Sequence, residues 1–226
     1  MGLDEKYISF INKSAKSALG DIKGKTMLEL GNQIIREGKI REITGKAYYS
    51  NRGVSHISID LNGQDGALKV DLSKPIKNKE WFNHFDIITN AGTTEHVEPR
   101  IAQYVVFMNI HNFMKVGGIA IHLVPDINEL ELKGKWKNHS KNYYSSNFFQ
   151  MLAENNSYET ISIEIINGLI CVGLRKTKDI PFMNDQNLFL KYIIRKKGGV
   201  VYRGINDSKI NQLLFLFISK IKNIFN

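Results

Sequence analysis

A chain of 226 residues with 42% hydrophobic content can bury one full α/β core, whereas two complete domains would be crowded. Its single cysteine, Cys171, excludes an intramolecular disulfide and gives no sign of an oxidising compartment. A net charge of +9 would point to an acidic partner if it were spread over the fold, but residues 175–226 hold eleven Lys or Arg against three Asp, which leaves the rest of the chain at +1.

The expected organisation is one domain over 1–178, nearly neutral over its first 174 residues, and a basic C-terminal appendage over 179–226. The first segment, "MGLDEKYISFINKSAKSAL", alternates charged and apolar residues at helical spacing and has no uninterrupted apolar stretch. It reads as neither signal peptide nor membrane anchor, and a cytoplasmic location is expected. Runs rich in Val and Ile then recur at 26–30, 55–60, 67–72, 85–90, 117–125, 158–166 and 169–176, separated by helical patterns. This alternation predicts a seven-stranded, mostly parallel α/β sheet with helices on both faces. Within it, 99–114 reads as a helix, with Pro99 at its first position, Ile101, Val105 and Met108 on one stripe, and Gly117-Gly118 past its end. Asn167-Gly168 between the last two runs is a strong hairpin signal, so the last strand pair is expected to be antiparallel. In "KINQLLFLFISKIKNIFN" the apolar residues fall at helical steps, and the run Leu213–Ile218 is too short to span a bilayer. This amphipathic helix is expected to pack on the body, to join two copies in a homodimer, or to lie on an anionic membrane surface as a peripheral contact.

In parallel sheets ligands bind beyond the carboxyl ends of the strands. There the first strand ends in Glu29-Leu30-Gly31, the second in Asp60, the third in Asp71 and the fourth in Asn90-Ala91-Gly92. A carboxylate ending the second strand suits both hydroxyls of a ribose, Asp71 could accept from a purine amino group, and the two glycines allow backbone to approach a ligand.

The ordered segments "LELG", "SIDLNG", "VDL", "FDIITNAGTTEHV", "MKVGGIAIHLVP" and "HSKNYYSSNFFQMLAENNSYE" resemble the class I S-adenosylmethionine-dependent methyltransferases over roughly residues 24–176, and more closely the branch acting on quinones, sugars and other small acceptors. The resemblance implies a Rossmann-like sheet and S-adenosyl-L-methionine as cofactor. It implies Glu29, Leu30 and Gly31 beside the methionine part, Asp60 and Leu61 at the ribose, Asp71 and Leu72 at the adenine, and Asn90, Ala91, Gly92 and Glu95 around the transfer site. Two features depart from the family. Only the first glycine of its first loop is present, so Asn32 or Gln33 is expected to meet the cofactor's carboxylate with a side chain. Gly31 and Asp60 also lie 29 residues apart, against an interval of about 20 in dinucleotide folds, and the enlarged segment at 35–53 is expected to cover the cofactor.

Methyl transfer to a hydroxyl also removes a proton, which suits a histidine. His139, His96 and His122 are the candidates; each has an ordinary reading as well, as an exposed loop residue, a helix cap and a core histidine. The aromatics Trp136, Tyr143, Tyr144, Phe148 and Phe149 could pack the core or form a stacking surface for a sugar. No His, Cys and carboxylate spacing matches a metal site. The expected activity is O-methylation of a small molecule or a saccharide unit. The alternatives are an RNA methyltransferase, supported by the basic tail but opposed by the neutral body because phosphate neutralisation needs positive charge near the cleft, and a non-catalytic binding module, which the depleted first loop permits.

Overall fold

The computed structural model describes residues 2–37, 41–127, 140–197 and 200–203. Its elements in chain order are β1 (Gly2–Leu3), α1 (Glu5–Leu19), β2 (Thr26–Leu30), β3 (Ile34–Glu37), β4 (Arg41–Thr44), α2 (Gly45–Ser50), β5 (Ser55–Asp60), β6 (Leu68–Lys69), β7 (Phe85–Ala91), α3 (Ala102–Phe113), β8 (Met114–Pro125), β9 (Asn142–Tyr143), α4 (Ser146–Asn156), β10 (Tyr158–Ile166), β11 (Leu169–Lys176), α5 (Gln186–Tyr192), β12 (Ile194–Lys197) and β13 (Val200–Arg203). Short 3-10 turns at Lys79–Trp81 and Thr94–His96 flank β7.

All seven expected strands form one sheet in the order β10-β11-β8-β7-β2-β5-β6. Every pairing is parallel except those of β11, which runs antiparallel to both β10 and β8. The hairpin that reverses the chain uses Asn167 and Gly168, both at positive φ (49° and 81°), a turn that glycine and asparagine adopt at little cost.

The strands read as continuous apolar runs because both faces are covered. Leu28, Leu30, Ile88, Ala120, Val124, Ile170 and Val172 turn to the face packed by α3, α4 and α5. The alternate residues Met27, Ile87, Ile119, Ile121, Leu123 and Cys171 turn to the face covered by α1, β3 and α2. Burial raises the Cys171 thiol to about 12, which makes it inert packing.

Three local features differ from expectation. The helix after β7 starts at Ala102, not at Pro99. Its buried face carries Gln103, Val106, Phe107, Asn109, Ile110 and His111 while Ile101 stays 46% exposed, because polar residues with long-range hydrogen-bond partners were invisible to a hydrophobic stripe. The Gly117-Gly118 pair lies inside β8 at a register shift against β7 and does not end a helix. Finally, Phe182, Met183, Phe189 and Ile193 join the main core, so the body continues past residue 178.

The enlarged segment after β2 makes the β3–β4 hairpin, which pairs with β1, and then α2. Ile35, Tyr48 and Tyr49 pack it against α1 on one face of the sheet, while Gly45 and Lys46 reach Gln33 and Gly66 beyond the ends of β2 and β5. Tyr143, Tyr144, Phe148 and Phe149 are at most 1% exposed and serve as packing. Trp136, His139 and the expected C-terminal amphipathic helix lie outside the described residues. No described helix is long and apolar enough to cross a membrane.

Candidate active site

A cleft of about 550 Å³ opens beyond the carboxyl ends of β5, β6 and β7, lined among others by Asp60, Leu61, Asp71, Leu72, Thr93 and His96. Asp60 ends β5. Its Oδ2 accepts from Asn32 N (3.2 Å) and its Oδ1 from Asn62 N (3.0 Å), which fixes the carboxylate at the rim. Each carboxylate oxygen can accept more than one bond, so Asp60 retains capacity for a ligand hydroxyl. Asp71 follows β6. Ser73 donates to its Oδ1 through both N (3.0 Å) and Oγ (2.6 Å), and Lys74 Nζ lies 2.9 Å from its Oδ2. The Ser73 hydroxyl, and then Lys74, hold the Asp71 carboxyl down to about 2, so it is an anion at any working pH. Leu61, 66% exposed on the rim, and the buried Leu72 supply apolar surface to the same cleft.

The chain leaves β2 for β5 and β6 on one side and then crosses to β7 and β8 on the other, so strand order reverses between β2 and β7. Such a switch point is where an open sheet offers a crevice. Here two side chains bridge it. Thr93 Oγ1 donates to Leu30 O (2.7 Å) and Gln33 Nε2 donates to Ala91 O (2.8 Å). Gly31 sits between them at φ +82°, where a Cβ would collide with Thr93 Oγ1 and stand 3.0 Å from Gln33 Nε2.

The turn after β7 is held from below by a polar network. Asn90 Nδ2 donates to Thr94 Oγ1 (2.8 Å) and to His122 Nδ1 (3.1 Å), and Thr94 N donates back to Asn90 Oδ1 (3.2 Å). Tyr144 donates its hydroxyl to Gln103 Oε1 (2.7 Å), and Gln103 Nε2 in turn donates to Thr94 O (2.7 Å) and Val97 O (2.8 Å). Asn142 Nδ2 donates to Glu95 O (3.2 Å) and Val97 O (3.0 Å). Residues from α3, β8 and β9 thereby preorganise the wall of the cleft formed by 92–98.

Two acids are buried here, Glu95 within this wall and Glu29 within β2. Glu95 is 2% exposed and burial raises its carboxyl to about 8. Glu29 is 1% exposed, accepts from Gln33 N (3.4 Å), and is likewise raised by burial to about 8. Its neighbours are His56, whose Nε2 is 3.7 Å away, and Gly45, where a Cβ would collide with Glu29 Oε1. Both acids are therefore largely neutral near pH 7.

Of the residues expected from sequence, Asp60, Leu61, Asp71, Leu72, Gly92 and His96 come together around one cleft. Glu29, Leu30, Asn32, Gln33, Asn90, Ala91 and Glu95 do not line it. Leu30 and Ala91 bury their side chains on opposite faces of the sheet and offer carbonyls to the two bridges. Asn32 points its Nδ2 to Gln64 O and Asp65 Oδ2, both at 3.2 Å. His96 lines the cleft with its side chain 42% exposed and its Nε2 3.9 Å from Glu95 Oε1. His122 is 1% exposed, stacks on Phe107 with ring centroids 5.4 Å apart, and is pushed down to about 3 by burial. Sequence reasoning missed Thr93, Val97 and Ser73. Ser73 was detectable as the partner of an Asx turn two residues after Asp71; Thr93 had no local signal, because its role is a bond to β2.

No protein-family model matches the chain, and no curated protein matches it. Solved structures do. The 1,6-didemethyltoxoflavin-N1-methyltransferase of Burkholderia thailandensis, with bound 1,6-didemethyltoxoflavin and S-adenosylhomocysteine, is 15% identical with TM-score 0.50 over 75% of this chain and 79% of its own. The N-methyltransferase NodS of Bradyrhizobium japonicum WM9, in complex with S-adenosylhomocysteine, is 11% identical with TM-score 0.51 over 77% and 89%. The PH0226 protein of Pyrococcus horikoshii OT3 is 12% identical with TM-score 0.53 over 76% and 90%. At these identities the likeness is one of fold.

Proposed function

We propose that this chain is a methyltransferase that uses S-adenosyl-L-methionine to methylate an oxygen on a small molecule or a saccharide unit. The observation that carries this reading is the cleft, of a size for a nucleoside, in which Asp60, Asp71 and the apolar Leu61 and Leu72 converge beyond consecutive strand ends. The residues fit the nucleoside half of the cofactor. Asp60 would accept from ribose hydroxyls, Leu61 and Leu72 would sandwich the adenine edge, and the anionic Asp71 would face its amino group. Bound S-adenosylhomocysteine in two structures of the same fold supports the same cofactor.

The cofactor supplies an activated methyl on a sulfonium; the chain's part is to hold an acceptor in line with it and to take a proton, and positioning alone is worth several kcal/mol. Among the described residues, His96 is the candidate proton acceptor, because it lines the cleft with a partly exposed imidazole. The buried His122, with its Nδ1 accepting from Asn90, acts in packing. Transfer to nitrogen is a second reading, favoured by the names of the two N-methyltransferases.

Calorimetric titration with S-adenosylhomocysteine tests the cofactor, and incubation with methyl-labelled cofactor and fractionated metabolites and glycans tests the acceptor. Binding with label entering a metabolite or glycan fraction is expected. Absence of binding at millimolar ligand refutes the reading.

A further inference from the structure

We propose that Gln33 is a built-in occupant of the crevice between β2 and β7, and that it decides whether the amino-acid end of a nucleoside thioether can be bound. This rests on the methyltransferase reading above. The crevice lies at the point where strand order reverses, the place an open sheet offers to a ligand, and it borders the cleft at Gly92 and Thr93. The chain fills it with its own groups. Gln33 Nε2 occupies Ala91 O at 2.8 Å, an acceptor that an ammonium group would otherwise find at the end of β7. The side chain is 3% exposed, yet its Oε1 has no hydrogen-bond partner. A buried amide with one half unsatisfied is a poor partner overall, yet its Nε2 bond to Ala91 O must be given up before a ligand ammonium can take that acceptor.

Thr93 shares this space, its Oγ1 being the atom nearest to the position of a Gly31 Cβ. Gly31 carries no side chain, and the position a Cβ would take there is 3.0 Å from Gln33 Nε2. Gln33 thus fills volume that a glycine-rich turn would leave open. The nucleoside half of the cleft, around Asp60 and Asp71, is untouched by it. The two halves of the ligand therefore meet different resistance. The nucleoside and sulfur enter an open cleft, while the aminocarboxypropyl end must displace an amide.

Titration of the full chain with S-adenosylhomocysteine and with 5′-methylthioadenosine separates the two halves, since these share the nucleoside and sulfur and differ in the amino-acid end. In the unaltered protein the two affinities should agree within about threefold. In Gln33→Ala, and in Gln33→Asn, whose amide is too short to reach Ala91 O, S-adenosylhomocysteine should tighten about tenfold or more while 5′-methylthioadenosine moves less than about threefold. Melting without ligand establishes that both variants fold, and if Gln33→Ala does not, Gln33→Asn decides. Weaker S-adenosylhomocysteine binding in the variants overturns the proposal, because Gln33 would then hold the amino-acid end. An equal gain for both ligands, or no gain for either, also overturns it. Failure of both ligands to bind all three proteins refutes the methyltransferase reading itself.

Discussion

Replacing Gly31 by alanine tests the seam between β2 and β7 directly. The residue lies at φ +82°, and an L side chain in left-handed backbone costs roughly 1–2 kcal/mol. The new Cβ would also collide with Thr93 Oγ1, which now donates to the buried Leu30 O at 2.7 Å. Moving the hydroxyl removes that bond, at about 1 kcal/mol, although Leu30 stays paired with β7. The backbone cannot simply retreat, because Gly31 N is anchored to Ile59 O at 2.8 Å. The sum predicts a loss of about 2–3 kcal/mol in urea unfolding at unchanged m-value. Thr93→Ala alone should cost about 1 kcal/mol. In the double variant the collision is gone, so its cost should fall short of the sum of the single ones by about 1 kcal/mol. A loss below about 1 kcal/mol for Gly31→Ala, or strict additivity in the cycle, would refute the geometry argued for this turn.

Removing the carboxylate in Asp60→Ala should weaken S-adenosylhomocysteine binding about tenfold or more through lost bonds to ribose hydroxyls, with only a few degrees lost in ligand-free melting because the Asn32 and Asn62 amides it accepts from lie near solvent; unchanged affinity removes Asp60 from the site. His96→Ala should lower turnover far more than cofactor affinity, as expected for a proton acceptor acting in the transition state, and turnover within about twofold of the unaltered protein excludes it. Glu29 is raised from 4.5 to about 8 by burial, so the stability it contributes is complete below 4.5 and is lost as pH rises through 8. Glu29→Gln should therefore gain on the order of 3 kcal/mol relative to the unaltered protein between pH 5 and pH 8, measured by chemical unfolding at both; a pH-independent difference contradicts a neutral buried acid.

The sheet was legible because strands buried on both faces must be written as short runs of Val, Ile and Leu, and because Asn167-Gly168 can take the positive φ values of a tight turn. Asp60, Asp71 and Gly92 were legible for a related reason: topology alone puts the residues after parallel strands at one edge, and they do converge on one cleft. What no local pattern carried was the set of contacts between segments distant in sequence. His122 looked available as a base until Asn90, 32 residues away, and the rings of Phe107 and Phe149 enclosed it. The buried face of α3 was hidden because Gln103, Asn109 and His111 are polar, and only their bonds to Thr94, Lys74 and Ile180 make burial tolerable. Gln33 shows the same division. In the sequence it was a departure from a glycine-rich turn; its meaning came from Ala91, 58 residues on. Periodicity and turn chemistry are properties of neighbours along the chain, so sequence determined the elements and their ends, whereas the partner of a buried polar group is chosen only when strands from different parts of the chain come to lie side by side.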